Sequence, residues 1–179
     1  MTKTAKVYGG SLYELAKEEG LAERICAQLQ QVIAVFDGNP AYWQFLDTAS
    51  ISKQERCKAL DEALAASVEP YLLNFIKILC ENGMVAQLKG CAKEYRRRYN
   101  EDHGIVDVCA VTAIPMAQPL QQKLKQKLGS ILGKQVELSC KVDPNCMGGV
   151  LLQLPERQLD GTVKHRLDAL RESLKAAAL

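Results

Sequence analysis

The sequence predicts an α+β protein, with an N-terminal six-helix bundle over residues 1–104 and a small β–α–β–β–α domain over residues 105–179. Three observations carry that expectation. Apolar residues recur at three- and four-residue spacing through the first hundred positions, as in helices with one buried face. After Gly104 the period drops to two, as in strands whose side chains alternate between faces. Gly38-Asn39-Pro40, Gly83 and Gly104 stop successive helices, because none of these residues continues a helix well.

The first helix is expected over Lys3–Glu19, with Tyr8, Leu12 and Leu15 on one face. The second, Leu21–Phe36, places Ile25, Leu29, Val32 and Phe36 at helical spacing. A short helix holding Tyr42, Trp43, Phe45 and Leu46 follows. Ser52-Lys53-Gln54-Glu55 reads as a capping box, in which the serine and glutamate satisfy each other's orphan amides. It opens a helix with Cys57, Leu60 and Leu64 inward. Pro70–Asn82 comes next, and Val85–Asp102 closes the series with Val85, Leu88, Ala92, Tyr95 and Tyr99 inward. In the second domain Ile105–Ala113 is a β-branched run and Gln135–Val142 alternates strictly. Val150, Leu152 and Leu154 repeat the alternation. The intervening helix is expected to bury Leu120, Leu124, Leu128 and Ile131. The last helix is expected to carry Val163, Leu167, Leu170 and Leu174 on one stripe. This order gives a sheet with helices on one face and a polar opposite face.

The Pro70–Asn82 helix is unusually apolar. Only Asn74, Lys77 and Glu81 interrupt Tyr71, Leu72, Leu73, Phe75, Ile76, Ile78, Leu79 and Cys80. A bundle helix needs an apolar stripe of roughly 100°. The excess has two compatible readings: a central helix surrounded by the others, or a shallow groove for an amphipathic helix of another chain.

Composition argues against several functions. The formal charge is +2, with 13 Lys/Arg against 12 Asp/Glu in residues 1–100 and 10 against 9 in residues 101–179. Neither half has the basic excess of a generic nucleic-acid binder. No apolar run reaches the ~18 residues of a membrane span. The first twenty residues lack a long apolar core and carry acids early, so neither signal nor transit peptide is expected. Seven cysteines without a CxxC pair read as reduced, mostly buried thiols. Neither histidine stands at ligand spacing from a cysteine, so no metal or cofactor is expected.

No group is arranged for catalysis. Gly148-Gly149 follows no strand-to-helix junction and lacks the Lys-Ser/Thr of a phosphate loop. Asn145, Cys146 and His165 have no surrounding nucleophile signature. Arg96-Arg97-Arg98 is the one basic run, and it leaves an RNA-binding helical module as the alternative function. Consecutive arginines step about 100° around a helix, however, so they do not share one ligand-facing side. The strands also lack the aromatic side chains on which an RNA-recognition sheet stacks bases.

Several spaced motifs then resemble one family, the delta subunit of F-type ATP synthase, whose mitochondrial counterpart is the oligomycin-sensitivity-conferring protein. They are Tyr8-Gly9-Gly10-Ser11-Leu12-Tyr13-Glu14-Leu15-Ala16 and Asn74-Phe75-Ile76-Lys77-Ile78-Leu79-Cys80-Glu81-Asn82-Gly83. The C-terminal signature comprises Val142-Asp143-Pro144, Met147-Gly148-Gly149-Val150, Leu159-Asp160-Gly161-Thr162-Val163, Arg166-Leu167 and Leu170. The resemblance implies a non-catalytic stator subunit that resists the torque of the rotating stalk, so that proton flow is coupled to ATP synthesis. Its helical domain would bind N-terminal helices of alpha subunits at the top of the catalytic head, and its second domain the C-terminal ends of the b-subunit stalk. It further implies one copy per complex, no nucleic acid, no insertion into the bilayer, and a peripheral place on the cytoplasmic face of a bacterial plasma membrane. The family's groove lies between the first and fifth helices. That puts the expected alpha contact on Tyr8, Ser11, Leu12, Leu72, Ile76 and Leu79. Gly148, Gly149, Asp160 and Gly161 are expected either to contact the b subunit or to maintain the fold. Two departures stand out. Gly9 and Gly10 replace common alanines at about 0.8–1 kcal/mol each, implying a later helix start or a close approach to the partner. Pro155-Glu156 replaces a usual Gly-Asp turn.

Overall fold

The computed structural model describes residues 2–48, 51–146, 148–155, 157–165 and 167. The chain divides into two compact units, Met1–Tyr99 and Asn100–Leu179. The division falls a few residues before the 104/105 boundary expected from the sequence. Asn100 donates to the Asp107 carboxylate at 2.8 Å, which ties this last helical turn to the strand that follows.

In the first unit, helices α1 (Lys3–Glu18), α2 (Ala22–Gly38), α3 (Pro40–Asp47), α4 (Lys53–Leu64), α5 (Pro70–Glu81) and α6 (Leu88–Asp102) follow one another. Their starts are local chemistry. Thr2 Oγ1 accepts from the Ala5 amide, Pro40 and Pro70 occupy first turns, and the Ser52/Glu55 capping box is formed in both directions. Val85–Gln87 is a 3₁₀ turn rather than the first turn of α6, with the Leu88 amide bonded three residues back to Val85. One apolar core joins the helices, centred on Ile25, Leu29, Phe36, Leu46, Leu60, Leu72, Ile76, Leu79, Leu88 and Tyr95.

The inner face of α1 differs from expectation. Leu15 points outward, and the buried residues are Ala5, Gly9, Gly10, Leu12, Tyr13 and Ala16. Small residues face inward because α1 crosses α6 closely. A Cβ on Gly9 would overlap the Cys91 carbonyl oxygen and lie 3.0 Å from the Cys91 Cα. A Cβ on Gly90 would lie 2.9 Å from that of Ala5. Both α1 glycines therefore lie inside a helix that starts at Lys3, and the close approach they permit is to α6 of the same chain. Tyr13 and Tyr95 stack edge-on at 5.3 Å along this crossing.

The second unit holds β1 (Ile105–Thr112), α7 (Gln118–Leu132), β2 (Gln135–Val142), β3 (Val150–Gln153) and β4 (Gln158–Asp160). The sheet order is β2-β1-β3-β4, with β1 parallel to β2 and the other pairs antiparallel. The sequence led us to expect three strands. The fourth is three residues long, too short to show a period, and it folds back on β3 with the Leu154 amide donating to the Arg157 carbonyl at 2.9 Å. Val106, Val108, Val136, Leu138 and Leu152 share one face, packed against Leu124, Leu128 and Leu132 of α7. Leu120, in the first turn of α7, and Ile131 are exposed instead of inward; the stripe on the sheet is Leu124, Leu128 and Leu132, which leaves Ile131 to one side. The opposite face is not uniformly polar: Asp107, Glu137, Ser139 and Lys141 share it with Val111, which is buried. Val163 and Leu167 of the expected terminal stripe are exposed, and Leu170 and Leu174 lie outside the described residues.

Candidate partner-binding surfaces

The six residues expected to face the alpha subunit separate by burial. Leu72, Ile76 and Leu79 are 0% exposed and Leu12 is 3% exposed, so all four belong to the core of the first unit. Tyr8 is half-buried against that core, and Ser11 is exposed. The over-apolar α5 is therefore mainly the central helix of its unit. What the surface offers comes from neighbouring positions. Val7 and Leu15 stand exposed on α1, eight residues apart on the same side as Ser11. Tyr71 and Ile78 stand exposed on α5, seven apart and flanking Asn74. The two helices are neighbours, and Glu19 at the end of α1 lies near Tyr71 at the start of α5. The nearby Glu19 charge raises the Tyr71 hydroxyl above its ordinary range, with burial adding to it.

The arginine run is part of the architecture. Arg97 donates to both Glu94 carboxylate oxygens at 2.7 and 2.9 Å. Arg98 reaches Glu94 at 3.1 Å and Glu14 of α1 at 2.6 Å. The Glu94 carboxylate is buried, and hydrogen bonds from Arg97 hold it below its usual range against the opposing effect of burial, with Arg98 adding to the lowering. Gly10 leaves room for the Arg98 guanidinium, since a Cβ there would lie 2.5 Å from Nη2. Sequence reasoning missed Glu94. Its signal was a lone acid set three and four residues before two arginines on one helix.

In the second unit, Gly148, Gly149, Asp160 and Gly161 come together as a clasp. The Gly161 amide donates to the Val150 carbonyl at 3.0 Å, and the Val163 amide to the Gly148 carbonyl at 3.1 Å. Gly149 has φ +87°, and a Cβ on it would lie 2.7 Å from the Thr162 Cα. Only glycine fits where these two backbones cross. Asp160 accepts from the Thr162 amide at 2.9 Å, and Thr162 accepts in turn from the His165 amide at 3.2 Å as a helix cap. The Asp160 carboxyl is held below its usual range by the Thr162 side-chain hydrogen bond first and by the Thr162 amide second. These contacts tie the start of β3 to the segment that follows β4. Met147 and Arg166 of the same signature lie outside the described residues.

Residues 4–174 match the family model described as ATP synthase delta (OSCP) subunit. The chain belongs to that family. It is 29% identical over 170 residues to the ATP synthase subunit delta of Alkaliphilus oremlandii, covering 95% of this chain and 94% of that one. It is likewise 29% identical over 173 residues to the subunit delta of Symbiobacterium thermophilum, covering 97% and 93%. A chain in the cryo-EM structure of the Toxoplasma gondii mitochondrial ATP synthase hexamer shares the fold, with a TM-score of 0.81 at 21% identity over 97% of this chain and 98% of that chain. The delta (OSCP) subunit is a non-catalytic, stator component of ATP synthase. The RNA-binding alternative has no support, since Arg97 and Arg98 are engaged with Glu94 and Glu14. Among the described residues, no helix is long and apolar enough to cross a membrane.

Proposed function

We propose that the chain is the static link between the catalytic head and the peripheral stalk of an F-type ATP synthase. Its helical unit would grip N-terminal helices of alpha subunits, and its second unit the C-terminal ends of the b subunits. It would serve as one copy per complex, peripheral to the cytoplasmic face of a bacterial plasma membrane. The observation that best supports the alpha contact is the exposed apolar set Val7, Leu15, Tyr71 and Ile78 on adjacent helices. An amphipathic helix laid along them would cover side chains that are already partly buried.

Magnitudes shape this reading. Full burial of a large apolar side chain contributes about 1.5–3 kcal/mol. Covering the remaining half of four gives roughly 3–6 kcal/mol before association entropy is subtracted. One helix docked on α1 and α5 is therefore a weak contact alone. Firm attachment follows from holding head and stalk at once, because each contact raises the effective concentration of the other. A connector that resists torque needs that arrangement more than it needs one tight site.

The test is a titration of the chain with a peptide of the alpha-subunit N-terminus, followed by residue-resolved NMR. The expected result is perturbation at Tyr8, Leu15, Tyr71 and Ile78, and weaker binding in Leu15→Asp and Ile78→Asp. A peptide that fails to bind, or binds both variants unchanged, removes the assignment.

A further inference from the structure

Cys57 of α4 and Cys80 of α5 both lie along the seam where these helices pack. Along that seam Asp61 of α4 pairs with Lys77 of α5 at 2.5 Å. One turn away, the Cys57 thiol donates to the Glu81 carboxylate at 3.8 Å. The same register brings Cys57 close enough to interact with the Cys80 thiol. Cys80 is buried and Cys57 half-buried, and neither is in a disulfide. Cys57 is therefore the more accessible of the two, while the Cys80 thiol donates inward to the Leu46 carbonyl at 4.0 Å.

We propose that Cys57 and Cys80 form a reversible oxidation site, in which a hydroperoxide oxidises Cys57 and Cys80 then closes a disulfide that staples α4 to α5. In the first step the Cys57 thiolate attacks a peroxide oxygen. An S–O bond forms, the O–O bond breaks, sulfur gives up two electrons, and the leaving oxygen takes a proton. In the second step the Cys80 sulfur attacks the Cys57 sulfur. The S–S bond forms as the S–O bond breaks, and the hydroxyl leaves as water with the Cys80 proton. With hydrogen peroxide, two thiols and one oxidant yield one disulfide and two waters.

Burial first, and the Glu81 charge second, raise the Cys57 thiol above its ordinary range; Asp61 adds to this and Lys77 opposes it. Burial likewise raises Cys80, with Arg56 opposing and Cys57 and Glu81 adding to it. The attacking species is the thiolate, so the first step is slow near neutrality and quickens as pH rises. Removing the Glu81 charge should quicken it at fixed pH.

The test treats the full chain with hydrogen peroxide, alkylates remaining thiols after denaturation, and maps unreduced peptides by mass. The expected product is a Cys57–Cys80 cross-linked peptide that dithiothreitol dissolves and that Cys57→Ser abolishes, with Cys80 then alkylated. Glu81→Gln should form it several-fold faster, and oxidation should raise the unfolding temperature read from Trp43 fluorescence. Three outcomes overturn the proposal: Cys57 found as sulfinic acid with Cys80 still free, a first disulfide joining two chains through the exposed Cys140, or equal rates in the unmutated chain and Glu81→Gln. Because Cys57 is only half-buried, Cys57→Ser retains the fold, and Trp43 emission checks this.

Discussion

Replacing Gly9 by alanine should destabilise the helical unit, although alanine is the better helix former. On an open helix face the change would stabilise by about 0.8–1 kcal/mol. Here the added Cβ overlaps the Cys91 carbonyl oxygen and lies 3.0 Å from the Cys91 Cα. Comfortable carbon contacts are about 3.5–4.0 Å. The obstructing atoms are α6 backbone, so no side chain can swing aside, and the helices must separate by up to about 1 Å. Separation also loosens the Gly90–Ala5 contact and the Tyr13–Tyr95 edge stack. Overpacking of this kind costs about 1–3 kcal/mol, occasionally more. Taking roughly 3 kcal/mol for a backbone obstruction and subtracting the propensity gain leaves a net loss of about 2 kcal/mol. For a unit of this size each kcal/mol moves the midpoint by about 4–8 °C, so a fall of roughly 8–16 °C is expected. The assay is thermal unfolding followed by tryptophan emission. Trp43 is the sole tryptophan and sits in the first unit, so it reports that unit. Gly10→Ala is the control. Its Cβ meets the movable Arg98 guanidinium and should cost little more than the propensity gain returns. A raised midpoint in Gly9→Ala would refute the close crossing of α1 and α6.

Other consequences are equally open to measurement. The Glu94 carboxyl is lowered in the folded chain, so its stabilising contribution is present above the unfolded value of about 4.3 and is lost as pH falls through the folded value. Acid titration of Trp43 emission should therefore show a transition below that pH that is absent in Glu94→Gln. Glu94→Ala should cost less than the ~3–5 kcal/mol of breaking a fully buried pair, because Arg97 and Arg98 both reach water. Gly149→Ala should cost more than about 2 kcal/mol through its left-handed backbone and the clash with Thr162, abolishing the calorimetric transition of the second unit while Trp43 unfolding stays in place. Ser52→Ala should remove the capping box and cost the first unit about 1 kcal/mol by urea titration.

The legible parts of this fold are those decided by neighbouring residues. Ser52 and Glu55 mark a helix start by their own side chains, and Pro70 opens α5 where the chain needs no amide donor. The alternation of Gln135–Val142 is that of a strand, and it pairs along its whole length with β1. The inner face of α1 was hidden because periodicity weighs large apolar residues, while this face is built from Ala5, Gly9, Gly10 and Ala16. Their fitness depends on α6, some eighty residues away. Glu94 was hidden for the same reason, since an acid on a charged helix shows its burial only once α1 is in place. At the candidate site, the sequence pointed to α1 and α5, and the residues it named on α5 are ones that the core consumes. Leu72, Ile76 and Leu79 are the strongest apolar positions of α5, so they win the interior and leave Tyr71 and Ile78 for the surface.

Reconstitution of one assembly from purified parts tests the connector role most directly. The chain is mixed with isolated catalytic head and with the soluble part of the b subunits, and the mixtures are passed through size exclusion. The account predicts that head and stalk elute together only when this chain is present, and that Ile78→Asp frees the head while the chain keeps the stalk. Head and stalk eluting separately with the unmutated chain present would contradict it.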